Sequence, residues 1–230
     1  RNFPTTGSDG LYFDLDIGGI DASQLSWTVN TSGSLNATVA WRLPVSDPSN
    51  SNFDRWIRDK SKNVTRVTLT GPRASSSQIR SSNPGSLTRP VLPQTFELVG
   101  RDSSGNEVRY GFVLRQWFVN RGGKVDYARD QTAWCRSLGY SMPRVRDLTN
   151  SSWINLGAYP RSSDDEYMRH MGAGFFTEWG NMGSYADAGF VYYDYWTSDI
   201  NVIYLLTVSM SGHIDNRRAS TSYYAVCTAP

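Results

Sequence analysis

Two cysteines and two histidines are the scarcest chemically versatile side chains in this 230-residue sequence. Cys135 and Cys227 suit a single clamp on the C-terminal segment, which would place the chain in an oxidising compartment; two free buried thiols are the plain alternative. His170 and His213 sit in no recognisable motif. There is no Gly-x-Ser-x-Gly elbow, no His-Glu-x-x-His helix, no phosphate loop and no zinc-type cysteine pair, so neither a nucleophile with its base nor a metal set is specified. The expectation is a protein that is not an enzyme and needs no cofactor and no metal. Asp164-Asp165-Glu166 is the densest acidic cluster, and three consecutive carboxylates usually make a solvated loop rather than a calcium site.

The side chains that point to chemistry of another kind, non-covalent recognition, are aromatic and guanidinium groups. Phe190-Val191-Tyr192-Tyr193-Asp194-Tyr195-Trp196 is the densest aromatic run, with Tyr185 just ahead of it. In an extended chain Phe190, Tyr192, Asp194 and Trp196 share one face and Val191, Tyr193 and Tyr195 the other, so one face belongs to a core and the other can offer tyrosines to a partner. The candidate partner-binding residues are therefore Tyr185, Tyr192, Tyr193 and Tyr195. Arg161, Arg169, Arg217 and Arg218 are their polar companions, the last two following Gly212-His213-Ile214-Asp215-Asn216, which reads as a hairpin tip. An ordinary solvated turn is the alternative for that pair.

Composition narrows the partner. The formal charge is +2, no block of like charges occurs, and the basic residues are arginine except Lys60, Lys62 and Lys124, which argues against nucleic acid. No apolar stretch approaches the roughly 20 residues of a membrane-spanning helix, so insertion of this segment into a membrane is not expected. Arg1-Asn2-Phe3-Pro4 does not begin a signal peptide, and any export signal is expected to have been removed. Leu92-Pro93-Gln94-Thr95-Phe96 has Phe where a sortase signal needs Gly. Sequons at Asn30, Asn36, Asn63 and Asn150 mark exposed loops or strand edges.

The elements that must position these groups change character along the chain. Up to about Phe112 there are short alternating runs: Leu11 to Ile17, Gln24 to Val29, Ala37 to Leu43 and Val64 to Leu69. A hairpin follows, from Thr95–Gly100 through a polar, glycine-containing turn to Glu107–Phe112. This is the pattern of an antiparallel sandwich. Ser75 to Pro93, rich in Ser, Arg and Pro and without hydrophobic period, reads as a long exposed loop. From Trp117 onward lie 20 of the 30 aromatic residues. The second half therefore has its own, more aromatic core, and the expected division is residues 1–114 and 115–230, joined by a short linker so that the two stack rigidly.

In the second half one helix is clear, Asp126 to Leu138, opened by Asp126 and closed by Gly139, with Cys135 on its inner face beside Trp134 and Leu138. A shorter helical turn is expected from Arg144 to Asn150. Short strands are expected at Phe175–Trp179, Phe190–Trp196, Ile203–Met210 and Tyr223–Cys227, the last of them central. A bond from the helix to that strand would close a loop of about ninety residues, worth roughly 4 to 5 kcal/mol in the chain-entropy model.

The order of a helix carrying Trp134-Cys135 and Leu138-Gly139, the Met142-Pro143 turn, Glu178-Trp179-Gly180, a long loop and a final Tyr224-Ala225-Val226-Cys227 resembles a C-type-lectin-like domain. More narrowly, the chain resembles the C-terminal tip of the intimin/invasin family of bacterial outer-membrane adhesins, well over Val91 to Pro230 and as a generic sandwich over Arg1 to Arg73. The resemblance implies an all-β immunoglobulin-like sandwich followed by an α+β C-type-lectin-like domain with one disulfide, Cys135–Cys227. It also implies a monomeric virulence-type adhesin, secreted or displayed on the bacterial surface after export through the periplasm. Its lectin-like domain would bind a protein receptor. Short secreted relatives imply a second possibility, a bacterial outer-membrane β-barrel as partner. Glu-Pro-Asn, Gln-Pro-Asp and Trp-Asn-Asp, which supply calcium oxygens in sugar-binding lectins, are missing, so a glycan would have to be bound without calcium.

Overall fold

The computed structural model describes residues 3–162 and 170–230. Among these, the chain runs β1 (Thr6–Ser8), β2 (Tyr12–Leu15), β3 (Ser26–Thr31), β4 (Asn36–Arg42), β5 (Val64–Thr70), α1 (Ser76–Arg80), β6 (Gln94–Arg101), β7 (Glu107–Leu114) and β8 (Gln116–Asn120). It continues α2 (Ala128–Leu138), α3 (Val145–Leu148), α4 (Phe175–Trp179), β9 (Asp194–Asn201), β10 (Tyr204–Ser209), β11 (Ile214–Arg217) and β12 (Val226–Ala229). The strands form sheets of three, in the orders β2-β5-β4, β3-β6-β7, β1-β8-β12 and β11-β10-β9.

The early strands follow from alternation and turn chemistry. β5 is central, pairing antiparallel with β2 and β4, and its Val67 and Leu69 are fully buried. The β6–β7 hairpin pairs from Gln94↔Leu114 to Arg101↔Glu107, and the Asp102 carboxylate accepts from the Ser104 and Asn106 N–H groups to hold its turn. A buried polar group ties the long connection after β4 to this half. Asp54 accepts from the Tyr12 hydroxyl and the Val45 N–H and pairs with Arg66, whose guanidinium lies over the Tyr12 ring. Burial first, then the Asp54 charge, pushes the Tyr12 hydroxyl up to about 12.

The first residues of the chain leave this half. β1 pairs parallel with β8, Thr6 opposite Gln116 and Ser8 opposite Phe118, while β12 pairs antiparallel with the other edge of β8. The carboxylate of Glu178 on α4 fixes β1 in place: it accepts from the Thr5 and Thr6 N–H groups (2.8 and 2.9 Å), from both threonine hydroxyls and from the Gly172 N–H (2.7 Å). A buried carboxylate is tolerated only with donors of this number. The Trp179 indole N–H adds a bond to the Thr6 carbonyl at 3.1 Å. Buried side chains accordingly form one continuous core from Leu11, Leu15 and Leu69 through Trp117 and Phe118 to Phe175, Trp196 and Leu206.

Several elements differ from the sequence expectation. Ser75 to Pro93 is no free loop: it contains α1, opened by a capping box between Ser75 and Gln78, and its backbone carbonyls serve as acceptors for the second half. Arg121, buried, donates to the Ile79 and Ser81 carbonyls (both 3.0 Å) and to Gln131, and stacks over Trp134. The Trp134 indole donates to the Gln78 carbonyl, the Tyr140 hydroxyl to the Thr88 carbonyl, and the Leu87 N–H to the Leu138 carbonyl. The segment is a strap across α2, bound there by main-chain acceptors together with Ile79, Leu87 and Leu92, which pack against the core. α2 starts at Ala128 with Tyr127 as its N-cap, because the Asp126 backbone is committed to a bridge with Tyr223. Gly139, left-handed at φ 85°, ends it as expected.

Phe175–Trp179 is helical, not a strand. All five residues are buried, so no periodicity distinguishes the two, and Gly174 and Gly180 with positive φ turn the chain at either end. The last strand begins only at Val226 and lies beside central β8 rather than at the centre itself. The turn between β10 and β11 lies at Met210-Ser211, where the Gly212 N–H returns to the Ser209 carbonyl, so Arg217 sits at the end of a strand and not at a tip. Asn150, one of the sequon asparagines, is buried, its side-chain amide donating to the Pro160 carbonyl.

Candidate functional site

Cys135 on α2 and Cys227 on β12 are bonded, with Cα atoms 5.4 Å apart and both side chains fully buried. The bond pins β12, and through it the β1-β8-β12 sheet, to the helix that the strap crosses. Between the two cysteines run the residues singled out for recognition.

Burial sorts the tyrosines. Tyr192 and Tyr193 are 65% and 64% exposed, at a bend just before β9. The Tyr193 ring stacks on Tyr224 with centroids 5.6 Å apart and planes 10° from parallel. Tyr185 and Tyr195, expected as partner contacts, are buried instead. Tyr185 packs edge-on against Tyr12 and Trp179 and beside Trp56, and its hydroxyl donates to the Trp179 carbonyl, so it belongs to the core between the halves. Tyr195 packs on Phe176 and Phe190, with its hydroxyl bonded to both the N–H and the carbonyl of Val191, and burial raises its pKa. The expected alternation of a buried and an exposed face does not hold: Tyr195, Trp196 and Thr197 are buried in succession on β9, and ahead of it the chain bends at 191–193, where the Tyr193 N–H reaches back to the Val191 carbonyl. Phe190 therefore points inward and Tyr192 outward.

The arginines also divide. Arg217 is not free for a partner: it is paired with Asp194 and with Asp215 (3.2 Å), donates to the Thr207 hydroxyl and lies over the Tyr223 ring at 4.6 Å. Burial alone would lower its pKa, but the hydrogen bond and charge of Asp194, with Asp215, raise it. Arg218 is exposed. Arg161 lies over the exposed Tyr159 ring at 4.2 Å and donates to the Tyr159 hydroxyl (2.7 Å) and the Asn155 carbonyl, which fixes both side chains. Arg169 and Asp164-Asp165-Glu166 lie outside the described residues. Structure thus brings Tyr192, Tyr193 and Tyr224 together, and holds Arg161 in a separate loop.

One surface feature was missed in the sequence. Val202 and Ile203 form the two-residue turn of the β9–β10 hairpin, between the paired Asn201 and Tyr204, and are 85% and 80% exposed, with Ile200 at 63%. Val202 has φ 58°, a left-handed conformation that is an outlier for a β-branched residue. The only available signal was a negative one: Val-Ile has the composition of a strand, and a two-residue hairpin turn asks for glycine or asparagine. Among the described residues no cluster of three or more His, Cys, Asp or Glu could hold a metal ion, and no helix is long and apolar enough to cross a membrane.

No family model matches the chain. Over 114 residues it is 30% identical to the inverse autotransporter adhesin YeeJ of Escherichia coli (strain K12), a match covering 45% of this chain and 4% of that protein. Its fold is similar to invasin, described as a bacterial integrin-binding protein, with a TM-score of 0.58 at 15% identity over 99% of this chain and 35% of that one. Intimin in its complex with Tir90 gives a TM-score of 0.47 at 14% identity, over 99% of this chain and 88% of that one. The chain spans a small fraction of the adhesin and about a third of invasin. In fold, and over part of its sequence, the chain is similar to the adhesins of the intimin/invasin family.

Proposed function

We propose that this chain is the adhesive tip of an intimin/invasin-type surface protein: residues 1–114, except β1, which joins the sheet of β8 and β12, form an immunoglobulin-like support, and residues 115–230 form a lectin-like module that binds a protein receptor without calcium, metal or cofactor. The observation that carries the proposal is the pair of exposed tyrosines, Tyr192 and Tyr193, with Tyr193 braced against Tyr224. Braced tyrosines give large contact area at small entropic cost and are enriched where partner proteins dock. They sit beside a rigid base, since Tyr224 is bonded through its backbone to Asp194 and Trp196 of β9. The similarity to invasin, a protein described as binding integrin, supports a protein as the partner class.

The test is a paired pull-down with the purified chain, from host-cell membranes and from bacterial outer membranes, with Tyr192→Ser/Tyr193→Ser as control. Capture of a protein from host membranes, lost in the double variant, is the expected result. Capture from bacterial membranes alone would replace the host receptor with an outer-membrane partner. Binding on a glycan array that survives chelator and needs Tyr193 would overturn the protein receptor in favour of a sugar. Capture unchanged by the double variant would move the site elsewhere.

A further inference from the structure

The β9–β10 hairpin tip presents two unfavourable features together. Val202 occupies the left-handed region where a β-branched side chain is strained, and the turn exposes Ile200, Val202 and Ile203 at 63, 85 and 80%. Folding stability alone would place Gly at position 202, because φ is positive at the first central residue of this turn and not at the second. The tip is nevertheless firmly held. β9 bulges at Thr197–Asp199, where pairing shifts from Ile200↔Leu205 to Trp196↔Thr207. The bulge is anchored by the Ser198 N–H on the Pro143 carbonyl (2.8 Å) and by the Val145 N–H on the Asp199 carboxylate (2.8 Å). A bulge of this kind re-aims the strand beyond it.

The chemistry of the apex selects the kind of surface it meets. It carries three aliphatic side chains and neither tryptophan nor arginine, the anchors typical of protein hot spots, in which valine is under-represented. Below it stand the uncharged Asn201 and Asn216, bonded to each other, and the half-buried Tyr204. At the base lie Arg146, next to the Val145 that holds Asp199, and Arg218, next to the Arg217 that pairs with Leu205; both are exposed and neither makes an ion pair with another described residue. Nearby carboxylates are already engaged: Asp199 by Val145, Asp147 by Arg144, and Asp194 and Asp215 by Arg217. An aliphatic apex, Tyr204 below it and two exposed arginines at its base form the pattern of a shallow lipid contact, apolar groups at the acyl boundary and cations at the phosphates.

We propose that the Ile200–Ile203 tip is a membrane-surface contact, entering the headgroup boundary of an anionic bilayer without crossing it. It is a second contact beside the tyrosine surface, at the opposite end of β9, and does not require the protein-receptor proposal to hold. The experiment is co-flotation of the full chain with vesicles of phosphatidylcholine, with and without phosphatidylglycerol. The wild type should float, more strongly with phosphatidylglycerol. Val202→Gly/Ile203→Asn should float at least about tenfold less while melting no lower than the wild type, because it removes the apolar apex and the strain together. Arg146→Gln/Arg218→Gln should lose the preference for phosphatidylglycerol and keep the residual binding. A wild type that does not float, or a turn variant that floats equally, overturns the proposal. Should the turn variant melt lower, Ile200→Ser decides: undiminished flotation of that variant overturns it as well. Loss of receptor capture in the turn variant without any flotation would assign the tip to a protein pocket instead.

Discussion

Two segments of this chain exchange the places their compositions suggest. The strap from Ser75 to Pro93, full of serine and arginine, lies against α2 and supplies carbonyl acceptors to Arg121, Trp134 and Tyr140. The run from Phe190 to Trp196, the most aromatic in the chain, leaves Tyr192 and Tyr193 in solvent. Where a segment lies depends on who satisfies its backbone as much as on its side chains. The strap's main chain finds buried donors; the bend at 191–193 turns two rings away from a core already filled by Phe190, Tyr195 and Trp196.

The comparison breaks most completely if the helix under the strap is loosened. Cys135→Ser/Cys227→Ser removes a cross-link spanning a sequence separation of 92. It should cost about 4 kcal/mol, read from denaturant unfolding, and should speed hydrogen exchange in the strap as well as in β12. Next, Arg121→Ala leaves two strap carbonyls and Gln131 without their charged donor, with an expected loss of about 3 kcal/mol. If it costs under about 1 kcal/mol, the strap is held by something other than its carbonyls. Trp134→Phe deletes the indole donor to Gln78 and shrinks a fully buried ring, so it should cost about 2 kcal/mol and expose the backbone of α1 to exchange.

Alkaline pH probes the same contact without mutation. Burial pushes the Tyr140 hydroxyl up to about 12, and that hydroxyl donates to the Thr88 carbonyl. A pKa raised in the fold stabilises fully below the ordinary tyrosine value near 10 and is lost as pH climbs toward 12. Stability should therefore fall across that window, with Tyr12 contributing in the same range, and Tyr140→Phe should flatten its share of the fall. The smallest effect belongs to the other segment: Tyr192→Ser/Tyr193→Ser should change stability by no more than about 0.5 kcal/mol, since neither ring is buried. A larger loss would show that the tyrosines are structural and not spare.

Much of the regular structure was legible. Alternating runs and turn residues marked β2 to β7, and an inward-facing Trp134, Cys135 and Leu138 followed by Gly139 marked α2. The candidate site was legible only in part. Tyr192, Tyr193 and Arg218 are at the surface, but Tyr185, Tyr195 and Arg217 are drawn into the fold by partners far away in sequence, Tyr12 for the first and Asp194 for the last.

The sequence by itself determined which segments can be strands, where the principal helix ends, that aromatic side chains crowd the second half, and that two cysteines were available to clamp it. Only the tertiary structure decided that β1 crosses to pair with β8, that Glu178 receives it, and that a polar strap binds α2. It also decided which tyrosines remain outside. Local pattern is written in neighbouring residues, whereas a buried carboxylate or carbonyl is settled by donors that approach from more than a hundred or only forty residues away, and no periodicity records that distance.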